Sequence, residues 1–248
     1  MTQRALVTGA TAGIGHAFAR ALASRGYDLV LVSRDLARLQ AVADQISTKH
    51  GVEVTVVSAD LSSHVGLAKA VAAVDGIDLL INNAGSSIAG WFGKTDIAAE
   101  ESQLDLMVRA PMVLTDAALK QMVSRGSGKI INVASMAAFT PRGIYAAHKA
   151  WLVNLGLWLN LQYADSGVTV TTLCPGFVHI EFHQRMNAKT DDIPRWMWLD
   201  ADKVVAAALR DLERGKALSI PTARYKALAV LARTLPIGLV SRVAKKGR

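Results

Sequence analysis

Cysteine is nearly absent: Cys174 is the only one in 248 residues. An intrachain disulfide and a thiolate metal cluster are therefore excluded. Long apolar runs are missing too, and no uncharged stretch reaches the roughly 18 residues that a spanning helix needs. The first strand-like segment begins within a few residues of Met1, which leaves no room for a signal peptide and points to a cytoplasmic location. No internal repeat, low-complexity linker or convincing domain boundary interrupts the chain. Acidic residues stop at Glu213, whereas nine basic ones follow it: Arg214, Lys216, Arg224, Lys226, Arg233, Arg242, Lys245, Lys246 and Arg248. Subtracting those nine from 28 Lys and Arg leaves 19 against 20 Asp and Glu, so the net charge of +8 belongs to one tail.

What remains is rich in apolar residues, at 51% hydrophobic and 19% charged, enough for one well-buried domain. Strand-like segments at 4–8, 28–33, 52–57, 77–81, 129–134, 168–173 and 217–220 alternate with helical patterns. Such alternation implies an α/β, doubly wound Rossmann fold, with a central parallel sheet of about seven strands flanked by helices. The expected organisation is a single domain over residues 1–223 and a basic amphipathic tail over 224–248.

Two local patterns carry chemistry. After the strand Arg4 to Thr8 comes Gly9-Ala10-Thr11-Ala12-Gly13-Ile14-Gly15 and an apolar-periodic run to Leu22. Glycines at a strand-to-helix turn allow close backbone approach, and the helix N-terminus attracts a pyrophosphate. Tyr145 and Lys149 stand four residues apart, one helical turn, with Ser135 ten residues upstream of the tyrosine. A phenol titrates near pH 10, and a neighbouring cation favours its ionised form, which makes tyrosine a usable acid or base. Alone, each pattern is common.

Together with Asp60-Leu61, Asn82-Asn83-Ala84-Gly85 and Pro175-Gly176, in this order along the chain, they resemble the short-chain dehydrogenase/reductase family. The resemblance runs from residue 4 to about residue 220. It implies hydride transfer between nicotinamide C4 and a carbonyl carbon, with Tyr145 exchanging the proton. Ser135 would hydrogen-bond the carbonyl oxygen, and Lys149 would lower the Tyr145 pKa and hold the cofactor ribose. The cofactor would lie along Gly9, Thr11, Gly13, Ile14 and Gly15, then Ser33, Arg34, Asp60 and Leu61. It would continue past Asn83, Ala84 and Gly85 to Tyr145, Lys149, Pro175, Gly176 and Val178. Relatives commonly pair through the helices holding residues 103–125 and 145–165, so a homodimer or homotetramer is expected.

The second strand ends in Ser33-Arg34, where an NAD-type site would place a carboxylate. Arg34 is available to fork onto a 2′-phosphate, so NADP(H) is favoured over NAD(H). The next residue, Asp35, reads as the cap of the helix that follows. Two positions depart from the family pattern. Met107 stands where an asparagine is usual and has no donor to offer. Pro111 lacks an N–H, so in an unbroken helix it would free the Met107 carbonyl to serve the proton relay instead. Ile180 stands where a threonine often holds the carboxamide.

Residues 177–200 carry Phe177, Phe182, His183, Met186, Ile193, Trp196, Met197 and Trp198, an apolar lid. Trp91, Phe92, Met136 and Phe139 would line the same pocket, which suits an apolar carbonyl or alcohol. A fatty or 3-oxoacyl compound and a steroid-like ketone both fit. His179 and His183 share a metal-ligand spacing but lack a convincing third ligand, so no metal is expected. The tail mixes Leu228, Val230, Leu231, Leu235, Ile237, Leu239 and Val243 with its basic residues, and Pro236 and Gly238 divide it into two short helices. It suits an anionic membrane surface, an acidic carrier, or packing on the body or a second subunit. No nucleic-acid recognition motif accompanies the charge. The sequence thus favours an oxidoreductase, and the departures leave a dinucleotide-binding sensor or scaffold with little turnover as the alternative.

Overall fold

A computed structural model describes residues 2–179 and 193–240 of the chain. Seven strands form one parallel sheet: β1 (Arg4–Thr8), β2 (Asp28–Ser33), β3 (Val54–Ser58), β4 (Leu79–Asn82), β5 (Gly128–Val133), β6 (Val168–Leu173) and β9 (Leu218–Ser219). Their order across the sheet is β3-β2-β1-β4-β5-β6-β9. The central strands read as continuous apolar runs because both faces are covered. Leu6, Val30, Leu80 and Ile130 enter one core, and Val7, Leu31, Ile81 and Ile131 enter the other. The register of Leu6 with Val30 and Leu80 holds those layers together. A two-stranded pair, β7 (Phe177–Val178) and β8 (Trp198–Leu199), lies outside the main sheet.

The helices are α1 (Gly13–Ala23), α2 (Leu36–His50), α3 (His64–Ala72), α4 (Ile97–Leu104), α5 (Ala110–Ser124), α6 (Ile144–Gln162), α7 (Ala201–Glu213) and α8 (Ala223–Thr234). Most begin at a side chain that accepts a first-turn N–H: Asp35 for α2, Ser63 for α3, Asp96 for α4, Asp200 for α7 and Thr222 for α8. Asp35 is a cap, as its place in the sequence implies. Helix α1 is different, because its cap position is Ala12 and no side chain covers its first N–H groups. Those donors face the crevice where the strand order reverses between β1 and β4.

The sequence pattern implied one unbroken helix through Met107, and the backbone differs. Between α4 and α5, residues Asp105–Arg109 form a π turn in which the Ala110 N–H reaches back to the Asp105 carbonyl. Pro111 then sits in the first turn of α5, directly after the π turn. The proline takes a donor from the four-back carbonyl of Met107 and equally from the five-back carbonyl of Leu106. Helix α2 runs to His50 and stops at Gly51, whose φ of 68° is left-handed.

Candidate active site

The glycine turn after β1 is built by close approach. Gly9 has φ +66°, a conformation that side-chain-bearing residues rarely adopt. A Cβ on Gly15 would stand 2.3 Å from the Gly9 carbonyl oxygen and 2.4 Å from Asn83 Nδ2, so α1 begins against the turn. Asn83 locks this arrangement, its Nδ2 donating to the Thr8 carbonyl at 2.8 Å. The backbone N–H groups of Asn83 and Ala84 both donate to Thr8 Oγ1, at 2.9 and 3.0 Å. Asn83 therefore spends its amide on shaping the crevice, and Ala84 and Gly85 carry the chain along its wall. The uncapped α1 terminus, the bare glycines and this wall together fit a pyrophosphate.

At the far end of the crevice, Thr11 Oγ1 lies 3.2 Å from Ser33 Oγ. Arg34 is exposed beside them, and Arg38 Nη2 donates to the Thr11 carbonyl at 3.5 Å. Two arginines thus flank the end of β2, one before the Asp35 cap and one in the first turn of α2. Asp60 accepts from the Ser62 N–H at 3.0 Å and the Ser62 hydroxyl at 2.7 Å. Burial alone would raise its pKa, but those bonds and the charge of Arg34 outweigh it and hold the carboxyl low. Leu61 is buried below it.

Ser135, Tyr145 and Lys149 converge at the carboxyl ends of β5 and β6. Ser135 caps a short 3-10 turn, Met136–Phe139, by accepting the Ala137 N–H at 3.1 Å. Its hydroxyl hydrogen remains for Tyr145, and that bond favours the phenolate. Lys149 is buried, donates to the Val133 carbonyl at 2.7 Å, and lies 5.8 Å from the centre of the Tyr145 ring. Burial depresses its pKa to about 8. For Tyr145, burial dominates and pushes the phenol up to about 12 despite Ser135. This is the reverse of the expected lowering by Lys149, because desolvation acts on both groups. Cys174 completes the floor; it is fully buried, receives the Ser135 backbone N–H, and its thiol is pushed up to about 12 by burial.

Behind Lys149, a small cavity is lined by Thr8, Asn82, Ala84, Met107, Pro111 and Leu152 among others. The π turn therefore abuts the lysine, with Met107 buried against it. Beneath, Asn82, Asn132 and Thr172 stand side by side on β4, β5 and β6. Asn82 Nδ2 bonds both Asn132 Oδ1 and Thr115 Oγ1 at 3.0 Å, a buried polar row on which the site rests.

Pro175 and Gly176 follow β6, and Val178 is buried in β7. Sequence reasoning missed the residue that fixes this corner. Tyr225, from α8, packs where a Gly176 Cβ would sit, only 1.9 Å from its ring. Its hydroxyl donates to the Met197 carbonyl at 2.7 Å and accepts the Phe177 N–H at 3.2 Å. One side chain so ties together both stems of the expected lid. The glycine beside a distant tyrosine was the available signal, but it has no local pattern. Arg38, in the first turn of α2, was also overlooked and was visible as a second basic residue close after Arg34. Ile180, Phe182, His183 and Met186 lie outside the described residues. His179 stacks on Trp198 at 4.5 Å, and among the described residues no three His, Cys, Asp or Glu groups could hold a metal.

A sheet whose order reverses at a glycine turn, with a tyrosine and lysine at its carboxyl edge, defines a nicotinamide-dinucleotide oxidoreductase of the Rossmann class. The short chain dehydrogenase family profile matches residues 3–191. The chain belongs to that family. It is 33% identical to a short-chain dehydrogenase from Sphingobium yanoikuyae solved in complex with NADPH, with a TM-score of 0.86 over 96% of this chain and 95% of that one. A bulky-bulky ketone specific alcohol dehydrogenase from Comamonas testosteroni is 30% identical, with a TM-score of 0.81 over 96% and 94%. The 17-beta-hydroxysteroid dehydrogenase type 3 of Mus musculus is 28% identical over 244 residues, 95% of this chain and 77% of the mouse protein.

Proposed function

We propose that the chain reduces an apolar ketone with NADPH, or oxidises the corresponding alcohol. The observation that carries this reading is the Ser135 hydroxyl bonded to the Tyr145 phenol beside buried Lys149. When bound, the dinucleotide supplies the hydride. The chain supplies the proton and holds the developing charge. A phenol kept protonated by burial is an acid ready for the carbonyl oxygen, and Ser135 can turn its donor to that same oxygen as charge develops. Lys149 retains its ammonium at neutral pH and stands between the tyrosine and the Asn83-Ala84-Gly85 wall, where a Gly85 Cβ would lie 3.6 Å from its Nζ. That position suits both ribose hydroxyls and the charge left on the tyrosine once its proton is given.

NADP(H) is preferred over NAD(H) on the chemistry of the β2 end. Arg34 and Arg38 offer two forks to a 2′-phosphate, Thr11 and Ser33 offer hydroxyls, and the nearby Asp35 carboxylate is committed to the Arg38 N–H. The NADPH bound in the Sphingobium relative supports the same preference. For substrate, Trp91, Phe92, Met136, Phe139 and Trp196 favour a bulky apolar ketone of fatty-acyl or steroid-like character. On this reading residues 1–223 are the catalytic unit, with a substrate lid at 177–200, and residues 224–248 are its basic tail.

A panel of bulky ketones assayed by NADPH consumption, with Tyr145→Phe as control, tests the proposal. Turnover is expected, and Tyr145→Phe should lower kcat by roughly 10²–10⁴ while NADPH still binds. Met107 in place of the family's asparagine favours the other reading, a dinucleotide sensor. NADPH binding with no turnover on any ketone would establish that one instead.

A further inference from the structure

The rim of the active site exposes apolar side chains, and helix α8 carries several of them. Tyr225 and Ala229 anchor the helix inward. The opposite side shows Val230 and Leu231, with Val230 61% exposed and Leu228 at the flank, and the apolar surface continues through Leu235, Ile237 (72% exposed) and Leu239. Lys226 and Arg233, seven residues apart, form a basic edge along this strip. Residues 237–240 are helical again after Pro236, so the apolar surface extends beyond α8 itself.

The placement of α8 ties this surface to the site. At its start, Arg224 lies 5.9 Å from the exposed Trp196 ring and donates to the Trp198 carbonyl at 3.3 Å. At its end, the Arg233 guanidinium lies 5.9 Å from the Phe139 ring, in the turn that follows Ser135. The helix therefore runs along the mouth from the lid stem to the catalytic turn. Trp91 and Phe92, both more than 60% exposed, sit in the loop after β4, at the same carboxyl edge of the sheet.

We infer that this rim docks on an anionic lipid surface, with α8 lying along the membrane and the mouth of the site turned toward it. The charge commits the occupant. No acidic residue occurs in α8 or after it, whereas Arg224, Lys226, Arg233, Arg242, Lys245, Lys246 and Arg248 do. A strip of exposed leucine, isoleucine and valine edged by Lys and Arg matches the layered chemistry of a headgroup region over acyl chains. Tryptophans at the border suit the same depth. Among the described residues no helix is long and apolar enough to cross a membrane, so the contact is superficial.

The test is co-sedimentation of the full chain with vesicles of pure phosphatidylcholine and of an equimolar phosphatidylcholine–phosphatidylglycerol mixture. Binding to the anionic vesicles should exceed binding to neutral ones by about tenfold or more, and should fall at high salt. The double variant Val230→Asp, Leu231→Asp should lose that binding with thermal stability and NADPH affinity unchanged. Equal binding to both vesicle types, or undiminished binding by the double variant, overturns the inference. Light scattering supplies a further check: a halved particle mass for the variant would mean that a second copy covers this face, and the inference fails. Neither result depends on turnover, so the ketone assay stands or falls separately.

Discussion

At the scale of single residues, the site is governed by desolvation. Lys149 is a cation below about 8 and neutral above it, while Tyr145 keeps its proton to about 12. Raising pH removes the lysine charge long before it removes the tyrosine proton. Ketone reduction, measured as kcat/KM against pH, should hold level on the acid side and fall with a single ionisation near 8. Replacing Lys149 by Arg, which stays charged throughout, should abolish that step at whatever activity remains. A profile that stays level through this range would show that the ammonium is not needed. The tyrosine and lysine were legible in the sequence because four-residue spacing on a helix fixes neighbourhood by itself. The direction of the tyrosine shift was not, since it depends on how many atoms crowd the phenol.

Elements were legible where burial writes a continuous apolar run. β1, β2, β5 and β6 fall within a residue of their expected bounds, since a parallel strand covered on both faces admits few alternatives. The π turn at Asp105–Arg109 left no such trace, because residue types do not distinguish it from an α-helix of the same apolar pattern. The lid stems were hidden for another reason. β7 and β8 are two residues each, too short for periodicity, and they are held by Tyr225 from a helix far along the chain. Tyr225→Phe keeps the ring against Gly176 but deletes both hydroxyl bonds. The expected outcome is a rise in KM for the ketone of roughly tenfold, with NADPH affinity nearly unchanged and a loss of stability of about 1–3 kcal/mol. Steady-state kinetics with a thermal melt would check it, and an unaltered KM would free Tyr225 from any part in shaping the substrate side.

At the scale of the whole molecule, α8 is not alone among the described residues in leaving apolar side chains uncovered. Besides α8, helix α6 exposes Trp158 and Leu161, the former 54% exposed. Trp151 and Leu155 of the same helix pack partly against the two cores, so α6 divides its apolar residues between sheet and surface. We propose this exposed pair as a contact with a second copy, since enzymes of the family commonly oligomerise. Trp158→Glu should convert a dimer or tetramer into a smaller species in sedimentation velocity, and a mass unchanged from wild type would exclude α6 from the interface. The grip of Tyr225 on Gly176, Phe177 and Met197 also has a meaning in time. A nascent chain emerges in order, although a single domain folds as a unit. The glycine turn, Ser135, Tyr145 and Lys149 are all made before α8. The residues of the cradle and the acid thus leave the ribosome before anything that can fasten the entrance, and the stems can be tied only when the helix after the last strand arrives.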